Sequence, residues 1–295
     1  MQGVWIDEPL TCGIKRYWSV DDVIVEKDTA FQKVLIAKTE QGITLFCNSE
    51  RQSSEQTQQI YHEGQYFPAA LLSDKIDDVL VIGSSEGVIC QMAIESGAQR
   101  VVHVDIDEDC VSLCAKHLPY GYTEADFLNA RSFKGRIKLL IDSGENYIER
   151  CLKSGKRFDV VVIDLPDEDI NNPEAPHNIL YSEIFLKEML QILKPGGVVI
   201  AQAGCSTFWR NSSLKQMWQR CNDVFETAVY FEMEEQNWSW IIGMSTRCDN
   251  PRDRMKRNLS SLPCELRFID SLSIDKATIP PISVRKSYGA KPNRF

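Results

Sequence analysis

The sequence of 295 residues lacks the features that would direct it to a membrane, a secretory route or a nucleic acid. No apolar run approaches the roughly 20 residues that a membrane-spanning helix needs. The opening segment MQGVWIDEPLTCG has neither the basic region nor the apolar region of a secretory signal, so we expect a cytoplasmic protein with no membrane partner. The formal charge of −9 argues against a nucleic-acid partner, because neutralising phosphates requires a basic surface.

The sequence also lacks paired cysteine motifs. It contains ten cysteines but no CxxC pair, and without a secretory signal these are expected to be reduced thiols rather than a disulfide framework. Cys110, Cys114 and His117 have the spacing of one helical face, but no fourth ligand accompanies them. We therefore predict no metal site and interpret this face as small apolar thiols packed in a core.

Internal repeats are absent too, and the main feature that is present is a change of apolar pattern near residue 75. Residues 1–74 alternate between apolar and polar positions, as half-buried antiparallel strands do, with Gln41-Gly42 placed as a hairpin turn. In residues 75–249, five short β-branched runs alternate with helical segments, which is typical of a parallel sheet covered on both faces. Two later runs, FETAVYFEME and WSWIIGMST, predict an antiparallel hairpin at the edge of that sheet.

These patterns predict an α/β fold in three parts. A small antiparallel β domain (1–74) precedes a Rossmann-like, seven-stranded domain of the class I S-adenosylmethionine-dependent transferase type (75–249), and a C-terminal extension (250–295) follows. The extension is polar and ends in prolines and charges, so we expect it to lie over the surface or to be partly disordered. Its segment NPRDRMKRN mixes basic and acidic residues, and there we expect a solvated turn.

A glycine-flanked turn, VLVIGSSEG, follows the first strand of the parallel region. Gly83 and Gly87 flank the turn, where backbone N–H groups would face a ligand. Asp105 ends the second strand 22 positions after Gly83, close to the roughly 20 at which a carboxylate accepts both ribose hydroxyls. An adenosine ligand is therefore predicted. Asp107 is expected to point elsewhere, and a simple helix-capping role for VDID remains the alternative.

Acidic residues also end the third and fourth strands. Asp142 could accept from the adenine amino group or cap the following helix. Asp164 and Asp167 lie at the mouth of the same sheet edge, where two carboxylates beside a sulfonium would hold a cationic amine and help to deprotonate it. Capping of the next loop is the alternative for this pair. The composition of residues 165–180 is that of a loop, which would act as a lid.

Five motifs, in order along the chain, resemble those of the spermidine synthase family, the polyamine aminopropyltransferases. TAFQKVLI and CNSERQSSEQTQQIYHE resemble the family's two stretches that carry glutamines and a Tyr-His-Glu triplet. VLVIGSSEG resembles the glycine-rich loop, VDIDED the ribose-binding strand and DLPD the Asp-x-x-Asp motif. The chain is thereby identified as a divergent member. The resemblance implies a small β domain before the transferase domain, a homodimer or homotetramer, and decarboxylated S-adenosylmethionine as donor, with no metal.

The resemblance also implies roles for individual residues. Asp164 and Tyr61 would orient and deprotonate the attacking amine, and Glu86 would lie near the propylamine tail of the donor. The implied catalytic residues are Asp164, Tyr61 and Asp167. The implied donor-binding residues are Gln32, Gln52, Gly83, Ser84, Ser85, Glu86, Gly87, Asp105, Ile106, Asp142, Ser143 and Asp164. The implied residues for a small, amine-like acceptor are Tyr61, His62, Glu63, Asp167, Asn237 and Trp238.

Departures from the family pattern cluster on the amine side and the donor tail. Asn48-Ser49 and Thr57-Gln58 replace an Asp-Gly and an Asp-Glu pair, and Glu86 replaces a loop aspartate. We therefore expect aminopropyl transfer to an amine-like or specialised acceptor. The alternatives are a methyltransferase or aminocarboxypropyltransferase that uses full S-adenosylmethionine in a biosynthetic pathway, and a catalytically silent binding or regulatory homologue.

Three side chains near this region each have two interpretations. His62 would contact the acceptor or serve as a hydrogen-bonded structural histidine. Phe208 and Trp209, after the fifth strand, would line the acceptor pocket or pack against neighbouring residues, and we favour packing.

Overall fold

The computed structural model describes residues 4–11, 13–166, 168, 172, 174–233 and 237–287. Its N-terminal part consists of two small antiparallel sheets, which confirms the predicted β domain. One sheet is the hairpin of β1 (Val4–Thr11) and β2 (Ile14–Val20), and the other is a meander of β3 (Asp22–Asp28), β4 (Lys33–Thr39), β5 (Gly42–Cys47) and β6 (Glu50–Ser54).

The predicted hairpin turn lies one residue earlier than expected. Thr39 pairs with Gly42 across β4 and β5, so Glu40 and Gln41 form the turn. Gly42 has a φ of 80°, and a Cβ there would overlap the side chain of Glu55. Glycine is therefore required at the start of β5, where the chain leaves the turn.

A seven-stranded mixed sheet forms the centre of the described chain, as predicted. Its strands are β7 (Asp78–Gly83), β8 (Arg100–Asp105), β9 (Ile137–Ile141), β10 (Phe158–Asp164), β11 (Leu193–Cys205), β12 (Thr227–Met233) and β13 (Trp238–Met244). The spatial order is β12-β13-β11-β10-β7-β8-β9, with β13 antiparallel to both of its neighbours. The strand order reverses between β7 and β10, and open α/β sheets bind their ligands at such a point.

Helices cover both faces of this sheet and bury two apolar cores. The first core lies under α1 (Gln58–Leu72), α2 (Val88–Glu95), α3 (Glu108–His117) and α4 (Glu124–Arg131). The second lies under α5 (Gly144–Ser154), α6 (Glu183–Ile192) and α7 (Ser212–Val224). A short 3-10 helix, Pro176–Tyr181, precedes α6. The expected packing of small thiols is seen in a third cluster, where Cys110 and Cys114 of α3 meet Cys47 of β5.

The helix α1 precedes residue 75 yet packs on the central sheet rather than on the small β sheets. Tyr66, Phe67 and Leu71 of α1 lie in the same core as the apolar side chains of β10 to β13. The helix α1 therefore belongs to the core of the transferase domain, although it lies within residues 1–74. The domain boundaries set from sequence remain predictions.

The first helix of the C-terminal extension packs on α1, and one prediction about this extension was wrong. NPRDRMKRN is not a solvated turn but the helix α8 (Pro251–Leu259), followed by α9 (Ser271–Ala277) and α10 (Ile282–Arg285). The missed signal is Asn250-Pro251: the Asn250 side chain accepts from the N–H of Asp253, and proline occupies the first helical position. Buried Met255 anchors α8 in the first core.

No helix in the described part of the chain is long and apolar enough to cross a membrane.

Candidate active site

The turn after β7 brings the chain into contact with the end of β10. Gly83, Ser84 and Gly87 all have positive φ angles, of 81°, 65° and 74°. A Cβ on Gly83 would lie 2.0 Å from the carbonyl oxygen of Asp164, to which the N–H of Ser84 donates at 3.1 Å. Ser84 is a serine in a conformation that favours glycine, and its buried Oγ has no hydrogen-bond partner among the described residues. Strain and an unpaired hydroxyl of this kind concentrate at binding sites.

The end of β8 forms the nucleoside side of the candidate site. Asp105 is buried and accepts from the Oγ of Ser85 at 2.8 Å and from the N–H of Asp107 at 2.9 Å. Desolvation raises the pKa of Asp105 to about 7, although those two donors favour its charge. Two hydroxyls of a bound ribose would add two further donors, so this carboxylate is suited to the role expected from sequence.

Asp107 points elsewhere, as predicted, and joins the two regions of the protein. One oxygen caps α3 by accepting from the N–H of Cys110 at 3.1 Å. The other accepts from the Oγ1 of Thr29 at 2.7 Å and from the Nε2 of Gln32 at 3.1 Å. Gln32 therefore lies near the nucleoside side, with its amide engaged by Asp107.

Other donor-binding candidates lie at the rim or make local contacts. Ile106 follows Asp105 with 45% of its side chain exposed. Burial opposes the charge of Asp142, but Arg150, Asn146 and the N–H of Ser143 outweigh it and lower its pKa. The helix cap at this end is the Ser143 hydroxyl, not Asp142. The Gln52 amide donates to the carbonyl of Glu50 at 3.2 Å.

Tyr61 and Asp164 meet at the acceptor side. The hydroxyl of Tyr61, on α1, lies 3.0 Å from Oδ1 of Asp164 and 2.5 Å from Oε1 of Gln202 on β11. The single phenolic proton serves one of these acceptors at a time. A protonated Asp164 would therefore donate to the phenol oxygen while the phenol donates to Gln202.

Burial, the charge of Glu86 and the hydroxyl of Tyr61 together set the pKa of Asp164. Desolvation raises its pKa to about 7, and repulsion from Glu86 acts in the same direction. The hydroxyl of Tyr61 opposes the rise. The side chain remains partly open to the site. A carboxylate with a pKa near neutrality, within reach of a substrate, is suited to act as a general base.

Glu86 lies between the two sides and is held by the N-terminal region. Its buried carboxylate accepts from the Oγ of Ser53, on β6, at 2.6 Å, and Ser53 also lies 2.9 Å from the hydroxyl of Tyr120. Its backbone carbonyl accepts from the N–H of Tyr122 at 2.9 Å. The small β sheets thus supply one side chain directly to the centre of the candidate site.

Two members of the Tyr-His-Glu triplet turn away from the cluster. The ring of His62 is buried, its Nδ1 lies 2.7 Å from the carbonyl oxygen of Gln58, and desolvation lowers its pKa despite the nearby Glu86. The carboxylate of Glu63 is fully buried and accepts from the N–H groups of Arg267 and Phe268 at 2.9 and 2.8 Å. These contacts match the structural interpretation of His62 and make Glu63 the anchor of the C-terminal extension.

The remaining acceptor candidates lie near the end of β13. Trp238 is half-buried at the start of this strand, with the guanidinium of Arg210 at 5.8 Å from its ring, and Asn237 is exposed in the turn before it. Asp167 lies outside the described residues, as does part of the 165–180 segment. The preferred packing of Phe208 and Trp209 was wrong, because 81% and 56% of these residues are exposed.

Sequence reasoning missed Ser53, Tyr120 and Gln202. Each lies beside a residue that was predicted, but on an element that is distant along the chain. A polar glutamine within the apolar run GGVVIAQAG was the one signal available for Gln202, because a buried amide in a central strand needs a partner.

Comparisons with known proteins identify the family of the chain. The sequence pattern of the spermine/spermidine synthase domain matches residues 58–245. The chain belongs to the spermine/spermidine synthase family. The polyamine aminopropyltransferase of Pyrobaculum calidifontis is 32% identical over 204 residues, 68% of each chain. That of Aeropyrum pernix is 30% identical over 310 aligned positions, covering 98% of this chain and 94% of its own.

Solved structures support the same fold over nearly the whole chain. A spermidine synthase in complex with the transition state analogue AdoDATO superimposes with a TM-score of 0.83 at 19% identity, covering 98% of this chain and 96% of its own. The spermidine synthase of Thermotoga maritima gives a TM-score of 0.81 at 18% identity, with 98% and 95% covered. At these identities the structures establish the fold of this family member. Its substrates have to be argued from its own residues.

Proposed function

We propose that this protein transfers an aminopropyl group from decarboxylated S-adenosylmethionine to the amino group of a small acceptor. The observation that carries the proposal is the contact between Tyr61 and Asp164 at 3.0 Å, beside the buried Glu86, in a member of this family. In addition, a homodimer or homotetramer in the cytoplasm is proposed from the family resemblance.

The reaction requires a deprotonated amine in line with a carbon next to the sulfonium. The amine lone pair attacks the propyl carbon, the C–S bond breaks with its electrons going to sulfur, and methylthioadenosine leaves. Asp164 accepts the amine proton, and Tyr61 and Gln202 orient the carboxylate. Positioning supplies several kcal/mol of the reduction in barrier, and a general base adds roughly two to four orders of magnitude in rate.

The donor is assigned from the charges around the turn after β7. Asp105 and Ser85 would receive the ribose, and Glu86 would pair with the ammonium at the end of the propylamine tail. An unpaired donor carboxylate beside Glu86 would be repelled, and this favours the decarboxylated donor. The buried Oγ of Ser84 is a further group that could accept a hydrogen bond from the tail or donate one to it.

The test is to identify the nucleoside that the protein releases. The purified protein is incubated separately with S-adenosylmethionine and with its decarboxylated form, each with putrescine, spermidine or a cell extract. We expect methylthioadenosine from the decarboxylated donor alone. S-adenosylhomocysteine would instead indicate methyl transfer, methylthioadenosine from the full donor would indicate aminocarboxypropyl transfer, and donor binding without product would indicate a silent homologue.

A further inference from the structure

Gln65 connects two residues that hold Tyr61 and Asp164 in place, although it lies apart from both of those side chains. It is fully buried on α1, four residues after Tyr61. We propose that Gln65 is a positioning residue that fixes the distance between Tyr61 and Asp164. This inference rests on the proposed function, because it concerns the geometry of the pair assigned there as base and orienting group.

Both ends of the Gln65 amide are engaged. Its Nε2 donates to the carbonyl oxygen of Ile163 at 2.9 Å, and its Oε1 accepts from the indole N–H of Trp240. An indole can only donate and a carbonyl can only accept, so these partners fix the orientation of the amide. Ile163 immediately precedes Asp164 on β10, so this bond holds the backbone from which the catalytic carboxylate projects.

The second partner, Trp240, supports Tyr61. Trp240 is fully buried on β13, and its ring meets the ring of Tyr61 edge-on with centroids 5.4 Å apart. Gly64 leaves the space for this indole, since a Cβ on Gly64 would lie 2.7 Å from the Trp240 ring. The segment Gly64-Gln65 therefore both admits the indole and binds it.

One side chain thus links α1 and β10, which carry Tyr61 and Asp164, to β13, which carries Trp240. A methionine at position 65 would keep the volume but remove the donor to the Ile163 carbonyl and leave the Trp240 N–H without its acceptor in the interior. The ends of β10 and β13 would then shift relative to α1, and the separation of Tyr61 and Asp164 would change. Asp105 and Ser85 make no use of this network, so donor binding is expected to persist.

The experiment compares Gln65→Met with Tyr66→Phe, a matched control on the same helix. Tyr66→Phe also removes a buried hydrogen bond, that of the Tyr66 hydroxyl with the Oγ of Ser96 at 2.7 Å. We expect Q65M to lower kcat by about tenfold to a hundredfold, since displacements near 1 Å cost this much, with the Kd of the donor unchanged. Y66F is expected to lose stability without this change in kcat.

A second variant covers the outcome in which Q65M does not fold. Trp240→Phe retains a ring against Tyr61 but removes the N–H that Gln65 binds. It is expected to lower kcat in the same direction, and in the double variant the two losses should not add, because both act on one network. If Q65M and W240F each had the same kcat as Y66F, the proposal would be overturned.

A measurement without substrates separates this inference from the proposed function. The carboxyl of Asp164 is titrated by 13C NMR in the wild type, Q65M and Y66F. We expect its pKa to move in Q65M, because the Tyr61 hydroxyl that favours its charge is displaced, and to stay in Y66F. An unmoved pKa in Q65M would refute the positioning role, whereas absent aminopropyl transfer in the wild type would refute only the proposed function.

Discussion

The nucleoside side and the acceptor side of the site are built in different ways. On the nucleoside side, Asp105 is held by Ser85, 20 positions away, and by its near neighbour Asp107. On the acceptor side, Tyr61 reaches Asp164 across 103 positions and Gln202 across 141. The first side is assembled by two adjacent strands and their turns, and the second by the packing of α1 onto the far half of the sheet. The contacts of the first side are consequently local along the chain, and those of the second depend on the packing of the whole fold.

The largest expected effect tests the acceptor side. Asp164→Asn removes the proposed base while keeping the shape of the side chain. We expect kcat to fall by about a hundredfold to ten-thousandfold, the usual contribution of a general base, with the Kd of the donor little changed. The measurement is methylthioadenosine release under saturating donor, together with donor binding by calorimetry.

The pH dependence of the wild type provides the control for that variant. Because the pKa of Asp164 is raised to about 7, kcat/KM for the acceptor at saturating donor should rise about tenfold per pH unit below 7 and level off above it. The rise reflects deprotonation of Asp164, so the pH profile of D164N should lack that inflection. An unchanged inflection in the variant would assign it to another group.

The two sides also differ in how well sequence could predict them. The seven-stranded sheet and the positions of Asp105 and Asp107 follow from apolar runs, a glycine turn and one spacing, which are local features of the chain. Asp164 was predicted from its place at the end of the fourth strand, whereas Tyr61 was found only through the family resemblance. Ser53, Gln65 and Gln202 were not found, because a polar residue in a strand or helix does not reveal which distant element will cover it.

Asp105→Asn tests the nucleoside side. It should weaken donor binding by about tenfold to a hundredfold, because a charged acceptor contributes roughly 1.5–3 kcal/mol to a hydrogen bond. Donor titration calorimetry measures the loss, and kcat at saturating donor should change far less. A variant that binds donor as tightly as the wild type would remove Asp105 from the site.

Asp105→Asn is expected to stabilise the ligand-free protein near neutral pH, although it weakens donor binding. The folded-state pKa of Asp105, about 7, lies above the ordinary pKa of 3.8 expected for this carboxyl in the unfolded chain. The folded state therefore binds more protons between these values, so the stability of the ligand-free wild type should fall as pH rises toward 7, by at most about 4 kcal/mol. D105N should lose this slope and be the more stable protein at pH 8 in urea titrations.

Glu86→Gln sharpens the comparison at the boundary between the two sides. Replacing the carboxylate should raise the Kd of the decarboxylated donor by roughly tenfold, since the tail ammonium loses a charged partner. The discrimination against full S-adenosylmethionine should fall with it. Ser53→Ala is the matched control, because it removes a donor to Glu86 at 2.6 Å but leaves the charge. An equal loss in both variants would show that Glu86 acts by shape rather than by charge.

The smallest expected effect concerns the loop after Asp164. Arg220, on α7, forms two parallel bonds to the half-buried Glu168, at 2.8 and 2.9 Å, and donates to the carbonyl of Tyr181 at 3.0 Å. The Tyr181 hydroxyl in turn donates to the carbonyl of Pro166 at 3.0 Å, so both ends of the described loop are held. Arg220→Lys keeps the charge but loses the fork geometry, and we expect the KM for the acceptor to rise by about threefold to tenfold.

Donor affinity is the internal reference for R220K, because the hydrogen bond between Asp105 and Ser85 involves neither Arg220 nor Glu168. Lys187→Ala is the external control: it breaks an exposed pair with Glu183, one turn apart on α6, and should leave both constants unchanged. If R220K weakened donor and acceptor equally, the two sides would not be separable at this loop. A loss confined to the acceptor, which we expect, would instead show that the acceptor side also depends on contacts from α7.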